Sequence, residues 1–172
     1  MLRLPELLNH FSLYNEAEQM IGITGAVDLP ELSMMTDTIS GSGVLGEIEE
    51  SATGQFESME MTIRWSCLSK EYFKAANTAA TSQFTLRASL QCLDTDTGLT
   101  DYYPCKIVVR GKAKTLTLGS AEGGKKMECE TTLEVYYIKI VIDNETVLEV
   151  DKLNFRYILN GVDMLEKIRA QI

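Results

Sequence analysis

Period-two alternation of apolar and polar residues governs most of this chain. In Phe84-Thr85-Leu86-Arg87-Ala88-Ser89-Leu90-Gln91-Cys92 every even position is apolar and every odd one polar. That pattern predicts a strand with one buried and one wet face. The run from Glu57 to Trp65 alternates as cleanly and puts Met59, Met61, Ile63 and Trp65 inward. Further strands are predicted over Met20–Asp28, Leu32–Ile39, Ile107–Leu118, Met127–Ile142, Thr146–Asp151 and Leu153–Leu159. Asp143-Asn144 between two such runs predicts a tight hairpin turn, and Asp94–Gly98 and Ser120–Gly124 supply turn residues for two more hairpins. The fold class is mainly β.

One helix is expected over residues 69–77, with Ser69 as N-cap and Glu71 in the first turn. Leu68, Tyr72, Ala75, Ala76 and Ala79 share one side at helical spacing, enough to pack on a sheet or to plug the end of a barrel. A second, short helical pattern of Val162, Leu165 and Ile168 follows Asn160-Gly161. No linker, repeat or low-complexity tract divides the chain, so residues 1–172 are expected to form a single domain.

The segment from Ser40 to Gln55 stands apart. It holds Gly41, Gly43, Gly46 and Gly54, the acids Glu47, Glu49 and Glu50, and the apolar residues Val44, Leu45 and Ile48. As a sixteen-residue connection it is long for a compact domain, and such loops are usually functional or disordered. Its glycines fit neither the P-loop nor the dinucleotide fingerprint, and its acids repel a nucleotide. A flexible arm that orders against a neighbouring subunit accounts for both the glycines and the stranded apolar residues.

Charge adds a division that the alternation does not show. The chain has 16 Lys+Arg against 25 Asp+Glu, a formal charge of −9. Residues 1–60 hold eleven acids and the single base Arg3, whereas residues 61–172 hold fourteen acids and fifteen bases. Lys106, Arg110, Lys112 and Lys114 form a basic stretch without an acid. One reading is a solvated surface; the other is an acidic and a basic patch that suit head-to-tail self-association. The acidic total disfavours DNA binding through a basic face, and no run approaches the ~18 apolar residues of a membrane span. The opening residues show neither the apolar stretch nor the cleavage site of a secretory signal.

Candidate chemistry is sparse. Cys67, Cys92, Cys105 and Cys129 have no CxxC spacing and are expected to be reduced thiols, with Cys67, Cys92 and Cys129 acting as small hydrophobes in apolar or alternating segments. His10 is the only histidine, so a His-dependent triad would rest on a chain start expected to be poorly ordered. The carboxylate pairs Glu49/Glu50 and Asp94/Asp96 sit in predicted loops without an apolar pocket pattern. Asp94–Gly98 lacks the twelfth-position Glu of a calcium loop and reads as a hairpin tip. Trp65, Tyr102, Tyr103, Tyr136 and Tyr137 read as strand or core residues. No enzyme activity, cofactor or metal is expected.

The order of features resembles the major tail tube protein of contractile-tailed bacteriophages, the FII type, and the related tube proteins of R-type bacteriocins. The resemblance covers nearly the whole chain. It is carried by Leu13-Tyr14-Asn15, by the run ending Val27-Asp28-Leu29-Pro30-Glu31-Leu32, and by the Gly-rich stretch 40–46. The strand ending Ile63-Arg64-Trp65-Ser66 and the terminal Asn160-Gly161-Val162-Asp163-Met164-Leu165-Glu166 complete it. The segment at 40–55 is richer in Glu than that pattern.

This resemblance implies a small β-sandwich or partial barrel with one packed helix, assembling into hexameric rings whose inner sheets join into one β-barrel around a channel. Stacked rings would form a tube inside a sheath, started on a baseplate, assembled in the bacterial cytoplasm and located in a virion tail or tail-like particle. The channel would carry DNA in a phage, or ions in a bacteriocin. Gly41, Gly43, Val44, Leu45, Gly46, Glu47, Ile48 and Glu49 are the expected inter-subunit contacts, and some of Glu47, Glu49 and Glu50 are expected to approach Lys106, Arg110, Lys112 and Lys114 of a neighbour. Asp28 and Glu57 are the expected channel-lining acids. Two alternatives are a type VI secretion tube subunit and a monomeric, lipocalin-like barrel closed around a small molecule.

Overall fold

A computed structural model describes residues 3–16 and 18–172. The described residues form strands β1 (Arg3–Asn15), β2 (Glu18–Gln19), β3 (Ile23–Asp28), β4 (Met34–Ser40), β5 (Glu47–Phe56) and β6 (Glu60–Trp65), then helix α1 (Lys70–Ala75). After it come β7 (Ser82–Asp94), β8 (Thr100–Thr117), β9 (Cys129–Ile142), β10 (Glu145–Asp151), β11 (Arg156–Leu159), β12 (Val162–Asp163) and helix α2 (Glu166–Arg169).

Ten strands form one open sheet whose main path runs β12-β11-β10-β9-β8-β7-β1-β2. The sheet forks at β9. Residues 129–134 of β9 pair with β6, residues 137–142 pair with β10, and the opposite edge of β9 follows β8. At the fork β8 and β9 fall out of simple register between Arg110 and Gly111. A Cβ at Gly111 would sit 2.5 Å from the Glu134 carbonyl oxygen, so only glycine lets the two backbones approach there.

The core lies where the two branches and α1 converge. Met59, Met61, Ile63 and Trp65 from the β6 branch meet Phe84 and Leu86 of β7, Val109 of β8 and Leu133 of β9. The alternation was thus legible: these side chains are buried while Glu60, Arg87 and Lys106 stay outside. Ser69 caps α1, accepting from the Tyr72 N–H at 3.1 Å. The helix stops at Ala75, short of the expected residue 77, because the Asn77 carboxamide oxygen accepts from the Ala79 and Ala80 N–H groups and offers the backbone a competing turn. Ala79 is exposed, while Tyr72, Ala75 and Ala76 are buried as expected.

Three expectations need correction. The chain start is a thirteen-residue strand paired with β7, carrying His10 opposite Ser89. Register shifts at Pro5/Leu7 and Leu8/His10 break its alternation, which hid it. The segment 40–55 is no open loop: β4 and β5 form a separate hairpin, and only residues 41–46 connect them. Cys67 is exposed, whereas the other three thiols are buried, and all four are free. Burial pushes the Cys105 and Cys129 thiols up, away from reactive thiolate.

Candidate assembly surfaces

The β4–β5 hairpin is an arm. Its root is held by the Phe56 ring, set edge-on to Tyr157 at 5.1 Å, and by the Glu57 N–H donating to the Ser33 carbonyl at 2.9 Å. Gly54 lies so close to Leu165 that an added Cβ would meet its Cδ2 at 2.6 Å. Beyond this root both faces of the hairpin are exposed, and Met35, Ile39, Leu45 and Ile48 stand in solvent. Val44 is half-buried. Gly43 and Gly46, with φ of 95° and 101°, turn the tip. Glu47, Glu49 and Glu50 are exposed along β5, and Glu49 accepts from the Thr36 hydroxyl at 2.7 Å.

The polar face of the main sheet splits the predicted basic stretch in two. Lys114 is paired within the chain to Glu60, and reaches Glu134 at 3.8 Å. Lys112 stands directly opposite Glu134. Lys106 and Arg110 lie past the fork, where Arg87 of β7 stands opposite Lys106. The Arg87 guanidinium lies 5.2 Å over the Tyr14 ring and that of Arg110 3.9 Å over Tyr137. Among the described residues no carboxylate pairs with Arg87, Lys106 or Arg110. Glu149, buried beside Tyr137, is instead shared by Lys139 at 3.9 Å and Arg156 at 3.7 Å.

The two channel candidates differ in kind. Asp28 is bound to Arg64 at 2.5 Å, and that hydrogen bond holds its carboxyl below the usual carboxylate range. Arg64 also reaches Glu130 at 3.1 Å, tying β3, β6 and β9 across one face. Glu57 is exposed at the arm root, and its backbone carbonyl accepts from the Lys152 ammonium.

The sheet also has an open margin that periodicity did not show. β2 covers β1 only at Tyr14 and Asn15, so among the described residues the outer edge of Arg3–Ser12 pairs with no strand. Leu4, Leu7 and Leu8 on this margin are half-exposed. Long apolar edges of this kind template pairing with another chain.

An open strand margin and a hairpin that leaves its own sheet are the two surfaces on which another chain could pair. The profile described as Phage tail tube protein FII matches residues 5–172. The chain belongs to the phage tail tube protein FII family. A tail tube protein of Escherichia phage P2 is 23% identical over 177 residues, spanning 99% of each chain. The FII-family fold also resembles two solved chains of an extracellular contractile injection system. One comes from a PVC sheath/tube terminator in its extended state, with TM-score 0.55 and 17% identity, covering 79% of this chain and 96% of that one. The other comes from the PVC sheath–tube complex in its extended state, with TM-score 0.54 and 16% identity, covering 79% and 90%.

The FII family is structural, so the chain is a tube subunit of a contractile tail or tail-like particle and not an enzyme. Its sheet is open, unlike the single-chain barrel that the small-molecule alternative requires. Arg87, Asp37 and the β1 leucines are surface residues that the sequence reading passed over. The pairing of Arg87 was not recoverable: counting outward from the expected Asp94–Gly98 turn brings residue 87 opposite residue 105, one short of its partner Lys106, because the connection includes Leu99.

Proposed function

We propose that this subunit closes into hexameric rings by pairing its free β1 margin with a strand of the next copy, and that the rings stack through the β4–β5 arm. The observation that carries this reading is the coexistence of an unpaired ten-residue edge bearing exposed leucines with a hairpin that leaves its own sheet. Joining copies edge to edge around a ring removes both open margins at once. The channel so formed carries DNA in a phage particle or ions in a genome-free bacteriocin. Among the described residues no cation pairs with the Glu57 carboxylate, which leaves it for the channel wall, while Asp28 is largely offset by Arg64. Gly41, Gly43, Val44, Leu45, Gly46, Glu47, Ile48 and Glu49 lie at or next to the tip of the arm and meet the adjacent ring. Sheath protein surrounds the tube and a baseplate starts it, with assembly in the bacterial cytoplasm; the relative in the PVC sheath–tube complex supports the sheath contact.

Electron microscopy of the purified chain, raised in concentration or seeded with its baseplate, tests this. Six-fold rings and tubes are the expected result. A chain that stays monomeric under both conditions overturns the reading.

A further inference from the structure

The open sheet has two unlike faces. On one, Trp65 of the β6 branch and Tyr72 of α1 join Phe84, Leu86 and Val109 in the core. The other presents Arg87, Lys106 and Arg110 to solvent. Closing the β1 margin onto the next copy leaves α1 and the β6 branch outside, where the larger circumference has room for a second layer. The face of Arg87, Lys106 and Arg110 then turns to the channel.

Register arranges that face in rows. Ser12, Arg87, Lys106 and Val141 stand side by side. Gln83, Arg110 and Tyr137 form a second row about 13 Å further along β8. Arg87 directly opposite Lys106 is unfavourable unless an anion neutralises the pair. Among the described residues no carboxylate pairs with Arg87, Lys106 or Arg110. The acids of this face have other partners. Glu149 is shared by Lys139 and Arg156, Asp151 accepts from the Leu153 and Asn154 N–H groups, and Glu6 accepts from the Gln91 carboxamide at 2.8 Å. Asp28 lies off this path, on the β3–β6 branch. Arg87 is stacked on Tyr14 and Arg110 on Tyr137. A guanidinium held on a ring is a planar donor already set for phosphate.

We propose that this face grips DNA on its way along the channel, with Arg87, Lys106 and Arg110 of every copy as phosphate contacts. This rests on the tube reading and adds to it the sign of the wall, which holds its cargo weakly instead of repelling it. The occupant is a nucleic acid and not a small anion. One phosphate contact is weak, but the rows recur in every copy around a ring and in every ring along the tube. Only a polyanion gathers many of them at once. The acidic total does not oppose this, since residues 1–60 carry eleven acids against Arg3 alone, and residues 61–172 hold fourteen acids and fifteen bases.

The test uses tubes of the full-length chain grown on its baseplate and scored by microscopy before any probe is read. A fluorescent DNA duplex is present during assembly, and the fraction kept by washed, pelleted tubes is measured at low and physiological salt. Wild-type tubes should keep the duplex at low salt and release it as salt rises. R87Q/K106Q/R110Q tubes should keep about tenfold less. K125Q/K126Q, altered on an exposed loop outside these rows, should keep as much as wild type. If the triple variant forms no tubes, R87Q and K106Q are scored singly, each with a partial loss expected. Wild-type tubes that keep no duplex overturn the proposal, and so do glutamine variants that keep as much as wild type. A K125Q/K126Q loss equal to that of the triple variant also overturns it, since the duplex then sits outside. Retention of polyglutamate in place of the duplex overturns it and gives the face to an acidic polypeptide. Wild type that forms no tubes at all strikes the tube reading itself, a result distinct from tubes that form and hold nothing.

Discussion

At Tyr72 the phenol lies within hydrogen-bonding reach of two carbonyls, Thr117 at 3.2 Å and Glu130 at 3.4 Å, while its ring meets Trp65 edge-on at 5.9 Å. One side chain of α1 thus ties together β8, β9 and the β6 branch, and burial pushes its phenol up. Removing only the hydroxyl in Tyr72→Phe should cost roughly 1 kcal/mol, since one hydrogen bond is lost and the packing stays. Tyr72→Ala should cost roughly 3–5 kcal/mol, because a ring-sized cavity opens under the fork. Urea titration of the two variants checks the ratio. Equal losses would mean that the helix is peripheral to stability. The burial of Tyr72 was legible from helical spacing, but its two backbone partners were not, since they lie 45 and 58 residues away.

At the scale of elements, β1 and β5, the second strand of the hairpin arm, were two segments that alternation did not reveal. Both fail for a physical reason. Alternation records a difference in environment between two faces, and most of β5 has solvent on both. Its Glu, Ala and Gly residues also lack β-propensity of their own. β1 carries Pro5 and two register shifts, each of which resets the period. Because the arm has its own ladder, it can be shortened without touching the core. Replacing residues 37–50 with Asn-Gly keeps the Thr36–Ser51 and Met34–Phe56 pairs and supplies a two-residue turn. The shortened subunit should melt within a few degrees of wild type by calorimetry and yet form no stacked tubes. A protein that no longer folds would place the arm inside the cooperative unit instead.

At the scale of the whole molecule, three carboxylates among the described residues are held below their usual range by cations on other elements. Glu18 is bound by Lys74, Asp28 by Arg64, and Asp163 by Arg169 together with the Leu165 N–H. Each has a lower pKa folded than unfolded. Its contribution is therefore complete above the unfolded value and is lost as pH falls through the folded one. The melting temperature should hold near neutral pH and decline from about pH 5 to about pH 3. The pairs are exposed, so each effect is small and screened by salt. D28N/D163N should start lower at neutral pH and decline less steeply on acidification, measured by thermal unfolding. An unchanged slope would show that other carboxylates govern acid stability.

The sequence alone determined what depends on neighbours along the strand. Period-two runs specified which faces are buried, Asp143-Asn144 adopted positive φ at the hairpin turn as its residues require, and Ser69 capped its helix. Its order of features also pointed to the tail tube family. Only the tertiary structure decided what depends on which strand lies beside which. It forked the sheet at β9, used Lys114 inside the chain, and set Arg87 beside Lys106 and Asp37 beside Glu50. Burial follows a local pattern because each side chain answers to its own face of its own strand. Charge pairing does not, because a partner dozens of residues away enters only when register brings it across.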